Sequence, residues 1–261
     1  MFCRIRFSFR EAGERPGKED VEDLLWGFLA CLFRNGQISR TYSLVREGDY
    51  FAYVTCPEDD SLREENDNAY VAGSRKKLGE IFACSVEKLG ENVESAPACT
   101  CKKHSAVEMQ TFHYDIDSIF TCLDCGRPIP LYRLPVPRQD QVEFFHEESW
   151  QQDFAAMERL WINCLCDRFS GRQLFDPASA LNREGRELAE NMSRALGCPV
   201  YYNLYDDGTR GGRKGRWTQT EHGKLRLCPK CGAPMRLFEI ENYASWLCDA
   251  CMSSVDDLGE E

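Results

Sequence analysis

Apolar and polar residues alternate over residues 2–9. Cys3, Ile5, Phe7 and Phe9 fall on one side, and Phe2, Arg4, Arg6 and Ser8 on the other. That period of two predicts a strand with one buried face. Over residues 19–34 the period changes. Val21, Leu24, Leu25, Phe28, Leu29, Leu32 and Phe33 recur at helical spacing, and Asn35-Gly36 ends the run with a pair suited to positive φ. Residues 38–46 and 50–56 read as a hairpin turning at Glu47-Gly48-Asp49. Residues 68–81 are weakly helical, and 82–89 form a last strand. The order strand, helix, strand, strand, helix, strand predicts a ferredoxin-like βαββαβ domain over residues 1–96.

The second half is patterned differently. Residues 109–120 are strand-like, and the prolines at 128, 130, 135 and 137 keep the chain extended as a join. Over 148–169, Trp150, Phe154, Met157, Trp161, Cys164 and Leu165 share one helical face. Within such a helix Cys164 and Cys166 lie about 200° apart and cannot share a metal. Residues 170–181 read as a loop, 182–196 as a helix closed by Gly197, and 200–205 as a strand. The expected fold class is therefore α+β, in three parts. Residues 1–96 form the ferredoxin-like domain, and 97–138 a cysteine-knuckle module and linker. Residues 139–261 form a helical segment that ends in a zinc ribbon at 225–255.

The cysteines supply the chemistry. Cys228-Pro-Lys-Cys231-Gly232 and Cys248-Asp-Ala-Cys251 are two CxxC pairs sixteen residues apart. Each pair turns two sulfurs the same way, and Gly232 lets the backbone curl beneath them. Four thiolates close a tetrahedral shell around Zn²⁺ with no open position, so the site reads as structural. A second set stands earlier in the chain. Cys101, His104, Cys122 and Cys125 have CxxH and CxxC spacing and suit a second Zn²⁺, with Cys99 able to replace Cys101 or His104. His113 is a weaker ligand candidate.

Composition narrows the function. The chain has 261 residues, fifteen cysteines and a formal net charge of −11. No apolar run approaches the roughly eighteen residues of a membrane span. The charged start Met1-Phe-Cys-Arg-Ile-Arg-Phe is unlike an export signal. CxxC pairs without such a signal suit a reducing, cytoplasmic setting. Net acidity disfavours a broad phosphate-binding surface. Charge is also uneven: residues 57–67 hold six acids and one Arg, whereas 209–230 hold seven bases and Glu221 alone. No catalytic signature is present. His-x-Glu does not occur together with Pro-Cys-x-x-Cys, and there is no GxSxG, phosphate-binding loop or HExxH.

Several motifs together resemble a known family. They are Asn35-Gly36-Gln37-Ile38, Cys122-Leu-Asp-Cys125-Gly126 running into Pro128-Ile-Pro-Leu-Tyr-Arg-Leu-Pro135, Gly197-Cys-Pro-Val-Tyr-Tyr-Asn-Leu-Tyr205, and the two C-terminal CxxC pairs. The chain resembles a bacterial family of unknown function, described as zinc-ribbon-containing with a suggested nucleic-acid-binding role. The resemblance implies metal ligation by the four C-terminal cysteines and the Cys122/Cys125 pair, and it supplies no catalytic residues. Members stand near polymorphic toxin genes, which implies an immunity role.

Two surfaces are candidates for binding. Glu58, Asp59, Asp60, Glu64 and Glu65 offer an acidic contact for a basic protein partner, such as a toxin. Arg210, Arg213, Lys214, Arg216 and Trp217 offer charge and a stacking ring for nucleic acid. The expectation is a non-enzymatic protein with one or two Zn²⁺ ions that binds a macromolecule. A protein partner leads nucleic acid.

Overall fold

A computed structural model describes residues 1–10, 17–40, 42–137, 142–205, 216–220, 223–241 and 243–256. The chain divides into two compact units.

The first unit comprises Met1–Ala98, Ile116–Ser118 and Ile129–Phe145. Its elements are β1 (Phe2–Phe9), α1 (Lys18–Arg34), β2 (Tyr42–Glu47), β3 (Asp49–Thr55), α2 (Ala69–Ile81) and β4 (Phe82–Gly90). The sheet is antiparallel in the order β2-β3-β1-β4. Ile5 of β1 stands opposite Ala52 on one side and Val86 on the other. The alternation along β1 puts Cys3, Ile5 and Phe7 into the core, where they meet Leu25, Leu29 and Leu32 of α1 and Leu78 of α2. Each such side chain contributes about 1.5–3 kcal/mol by leaving water.

The acidic stretch after β3 is tied down rather than trailing in solvent. Asn35 Nδ2 donates to the Asn66 carbonyl at 2.8 Å and to Gln37 Oε1 at 2.9 Å. The fully buried Gln37 donates to the Ser61 carbonyl at 2.8 Å and to Asp67 Oδ1 at 3.0 Å. Arg75 then forks onto Asp67 at 2.6 and 2.8 Å. Asn35-Gly36-Gln37 therefore does more than stop α1. Gly36 has φ 75°, and a Cβ there would meet Leu131 Cβ at 2.4 Å, so only glycine lets residues 129–133 lie against it.

The second unit comprises Cys99–Asp115, Ile119–Pro128 and the chain from His146 onward. It holds β5 (Val107–Met109), β6 (Phe120–Cys122), β7 (Arg127–Pro128), α3 (Phe145–Ile162), α4 (Asp167–Phe175), α5 (Ala180–Leu196), β8 (Val200–Asn203), β9 (Arg216–Thr220), β10 (Gly223–Leu227), β11 (Arg236–Ile240), β12 (Tyr243–Cys248) and β13 (Ser253–Asp256). Strands β9 and β10 form a two-stranded ribbon. The other seven make one mixed sheet in the order β11-β12-β13-β8-β5-β6-β7. β8 runs parallel to both β5 and β13. A parallel pair needs a long crossover, and α3–α5 provide the one from β5 to β8.

α5 is seated by specific contacts. Ser179 Oγ caps it by accepting from the Asn182 amide at 3.1 Å, and Gly197 closes it at φ 69°. Asn182 donates to the carbonyls of Gln173, Leu174 and Asp176 and accepts from Tyr202 Oη at 2.8 Å. A Cβ on Gly185 would meet the Tyr202 ring at 2.2 Å, so the helix presses its backbone onto β8.

The chain is α+β, but the layout expected from its sequence is overturned. The cysteine knuckle is no separate module, because β5, β6 and β7 are three of the seven strands that also include the C-terminal ones. The C-terminal part is strand-rich, and the helices precede it, so no helical segment ends in a separate ribbon. Two local corrections accompany this. Residues 109–120 are not one strand, since β5 stops at Met109 and β6 begins at Phe120. The helix expected over 148–169 breaks, with Cys164 and Cys166 at φ 54° and 55° between α3 and α4.

Candidate metal centres

Among the described residues, three groups of side chains could hold a metal ion. Two consist of four cysteines whose sulfurs all lie within 4.8 Å of one another: Cys99, Cys101, Cys122 and Cys125, and Cys228, Cys231, Cys248 and Cys251. The third, His104 with Cys122 and Asp124, shares Cys122 with the first.

The elements explain the convergence. In the first cluster Cys122 ends β6 and Cys125 lies in the β6–β7 turn. The Gly126 amide closes that turn on the Cys122 carbonyl at 2.8 Å, with Gly126 at φ 67°. Cys99 arrives because its amide donates to the Pro128 carbonyl of β7 at 2.8 Å, and the Cys101 amide points at Cys99 Sγ at 3.3 Å. In the second cluster Cys228 and Cys231 flank the turn before β11, where the Gly232 amide donates to the Cys228 carbonyl at 2.9 Å with φ 73°. Cys248 ends β12, and Cys251 stands in the turn to β13. Each cluster therefore sits at the outer strands of one end of the sheet: β6 and β7 at one end, β11 and β12 at the other.

The residues fit Zn²⁺. Cys228 Sγ lies 3.6 Å from Cys251 Sγ, Cys231 Sγ 3.6 Å from Cys248 Sγ, and Cys248 Sγ 3.6 Å from Cys251 Sγ. A disulfide is about 2.05 Å. A tetrahedron with Zn–S bonds of about 2.3 Å has edges of about 3.8 Å. The sulfur separations of 3.6 Å match the tetrahedron. Backbone amides also face the sulfurs, from Lys230 and Cys231 to Cys228, from Asp124 to Cys122 and from Cys251 to Cys248. Such donors favour thiolate. Burial works against it, pushing Cys228 up to about 11 and Cys99 up to about 12, and raising Cys122 and Cys248 as well. These thiols ionise readily only when a cation shares the site, so metal binding would release protons.

His104, expected from the sequence as a ligand with Cys99 as an alternative, lies beside the four-sulfur set and belongs to the third group. Cys99 completes the four-sulfur set, and His104 Nδ1 lies 3.2 Å from Cys122 Sγ. Behind it the Ser105 amide donates to Asp124 Oδ2 at 2.8 Å, and Ser105 Oγ bonds Asp124 Oδ1. His113 stands apart, with Nδ1 3.1 Å from Glu158 Oε2.

Of the acidic residues, Glu58 is engaged by Arg133 at 2.6 Å and by Tyr132 Oη at 2.6 Å. Exposed Asp59 pairs with Lys88 at 2.6 Å, while Glu64 and Glu65 lie exposed in a 3₁₀ turn. Of the basic residues, Arg210, Arg213 and Lys214 lie outside the described residues. Arg216 and Trp217 belong to β9, with Trp217 opposite Arg226.

The sequence reading missed a buried polar knot across the same sheet. Glu108 of β5 accepts from Asn203 Nδ2 at 3.1 Å, from Ser245 Oγ at 3.0 Å and from Tyr243 Oη. Asn203 Nδ2 also reaches Asp256 Oδ1 at 2.9 Å. Strand alternation gives no signal for a carboxylate that points inward.

A family model described as a domain of unknown function (DUF2310) matches residues 101–205, and another described as a domain of unknown function (DUF8589) matches residues 1–89. An uncharacterized protein of Haemophilus influenzae is 30% identical over 209 residues, covering 76% of this chain and 74% of its own. A second protein of that organism is 28% identical over 196 residues, covering 73% of this chain and 89% of its own. Among solved structures, SnoaB, a cofactor-independent oxygenase from Streptomyces nogalater, shares 14% identity over 35% of this chain and 94% of its own, with a TM-score of 0.28. A likeness that slight carries no functional argument.

Proposed function

We propose, for a chain that belongs to the bacterial family marked by the domain of unknown function (DUF2310), that it is a zinc-stapled binding protein. Its metal centres serve structure, and its surface serves a macromolecular partner. One observation carries this reading: each cluster offers four sulfurs within 4.8 Å. Four thiolates fill a zinc shell and leave no place for water or substrate, so the ions hold strands together instead of activating a reactant. The outer strands of a sheet are where unpaired backbone groups need such protection.

The partner this reading favours is a basic protein surface. The stretch from Glu58 to Asn66 is anchored through Gln37 and Asn35, so its exposed carboxylates, on Asp59, Glu64 and Glu65, are presented on a fixed ledge. Fixed charge accelerates encounter without a large ordering cost. Neutralising a basic toxin, the immunity role the resemblance implies, is one use of such a ledge. Reversing Asp59, Asp60, Glu64 and Glu65 to Lys should slow association with a partner captured from the native host, most of all at low salt. Unchanged association would remove the ledge from the account.

The nucleic-acid alternative rests on Arg210, Arg213, Lys214, Arg216 and Trp217. It is tested by titrating single- and double-stranded DNA and RNA near physiological salt. With a net charge of −11, binding is expected to be no tighter than about 10⁻⁶ M. Nanomolar binding lost on replacing the four basic residues by Ala would favour the alternative.

A further inference from the structure

A cleft of about 750 Å³ runs along α5 where that helix faces the second cysteine cluster. Arg183, Arg186 and Arg194 line it from the helix. At about 100° per residue these three fall within roughly 80° of one another, so they form one basic stripe. Lys230, from the turn between Cys228 and Cys231, faces them together with Cys251 and Met252. Tyr202 is fully buried beneath, and its hydroxyl is already spent on Asn182.

The charge in this cleft opposes that of the whole chain. Four cations stand against two carboxylates, Glu187 and Glu190, on a protein of net charge −11. That excess of two equals the two charges by which four thiolates outweigh one Zn²⁺, so charge balance alone calls for no ligand. The hydrogen bonding of Arg186 is not accounted for in that way. Its Nη1 is buried and meets no hydrogen-bond acceptor among the described residues. An unpaired guanidinium donor is costly, and the planar fork matches two oxygens of a phosphate once the side chain turns that nitrogen from its buried position into the cleft.

We infer that this cleft binds a phosphate dianion, the terminal group of a phosphomonoester, with Arg186 as its principal donor. Arg183, Arg194 and Lys230 supply the surrounding positive charge. The cleft shares no residue with the acidic ledge, and the inference does not depend on the proposed protein partner.

The test is calorimetric titration of the zinc-loaded full chain with inorganic phosphate, a nucleoside monophosphate and a phosphoserine peptide. Saturable binding tighter than about 1 mM is expected for inorganic phosphate. Whichever organic phosphate binds more tightly than inorganic phosphate identifies the source. Dimethyl phosphate, a monoanion, should bind at least tenfold more weakly. Arg186→Gln should weaken phosphate binding at least tenfold while zinc content stays unchanged, and Arg186→Lys should fall between. Should Arg186→Gln fail to fold, Arg194→Gln gives the same comparison from the exposed end of the stripe. The inference is overturned by absence of saturation, by equal affinity for dimethyl phosphate, or by unchanged binding in the variants.

Discussion

His104 Nδ1 lies 3.2 Å from Cys122 Sγ, while Cys99 completes the four-sulfur set around that same cysteine. In the proposed centre the imidazole would stand behind Cys122, where it would orient the sulfur and temper its charge. Cys99→Ser should abolish the first zinc. His104→Gln should retain it, with affinity lowered by no more than about 10–100-fold. Zinc content measured against competing chelators separates the two. Loss of the ion from His104→Gln alone would make the histidine the ligand.

Cys231 tests the second centre. Structural zinc contributes about 10–16 kcal/mol of apparent binding free energy in small modules, so losing one of four ligands should open the strands it holds. In Cys231→Ser, amide exchange across Arg236–Ile240 and Tyr243–Cys248 should rise sharply, while β1 and β3 of the first unit stay protected. Equal protection in variant and parent would mean that the sheet holds its outer strands unaided.

Two glycines in helices should respond in opposite directions. Ala gains roughly 1 kcal/mol over Gly in a helix interior. At Gly185 the added Cβ meets the Tyr202 ring at 2.2 Å, and overpacking costs about 1–3 kcal/mol or more, so Gly185→Ala should destabilise. At Gly73 of α2 an added Cβ meets nothing within 4 Å among the described residues, and Gly73→Ala should stabilise by about 0.4–1 kcal/mol. Denaturant midpoints read both changes. A stabilised Gly185→Ala would refute the close seating of α5.

Asp256 predicts a pH dependence. Desolvation, then the nearby Glu108 carboxylate, push its carboxyl up to about 7. The folded state therefore holds a proton that the unfolded chain releases near pH 4. The favourable contribution is complete below that value and is lost as pH rises to about 7, with a slope of up to about 1.4 kcal/mol per pH unit. Above pH 7 this contribution levels off. Unfolding free energies measured from pH 4 to 8 should show that slope in the parent and lack it in Asp256→Asn. An identical profile in both would exclude Asp256 as its source.

How legible these features were depended on whether they are local. β1 and α1 could be read because each buries a single face, so Cys3, Ile5 and Phe7, or Leu25, Leu29 and Leu32, carry the period of the element. β8 could not be placed in its sheet, since Val200–Asn203 is buried on both faces and shows no alternation. Its parallel partner β5 lies about ninety residues earlier. Trp161, Cys164 and Leu165 keep helical spacing into a real turn, and Cys164 and Leu165 prove exposed, so the pattern there described no common face. Both CxxC pairs of the second cluster were legible from spacing. Spacing left Cys99 and His104 as alternatives, and the bond from the Cys99 amide to the Pro128 carbonyl, which brings Cys99 to the other three sulfurs, is a register that spacing does not encode.

The central claim is that two closed four-thiolate zinc centres staple one sheet. Zinc X-ray absorption on the purified chain, combined with elemental analysis, tests it most directly. Two zinc ions per chain are expected, with an average first shell of four sulfurs at about 2.3 Å and no nitrogen or oxygen. A folded protein without zinc, or a shell that includes a nitrogen or oxygen ligand, would contradict it.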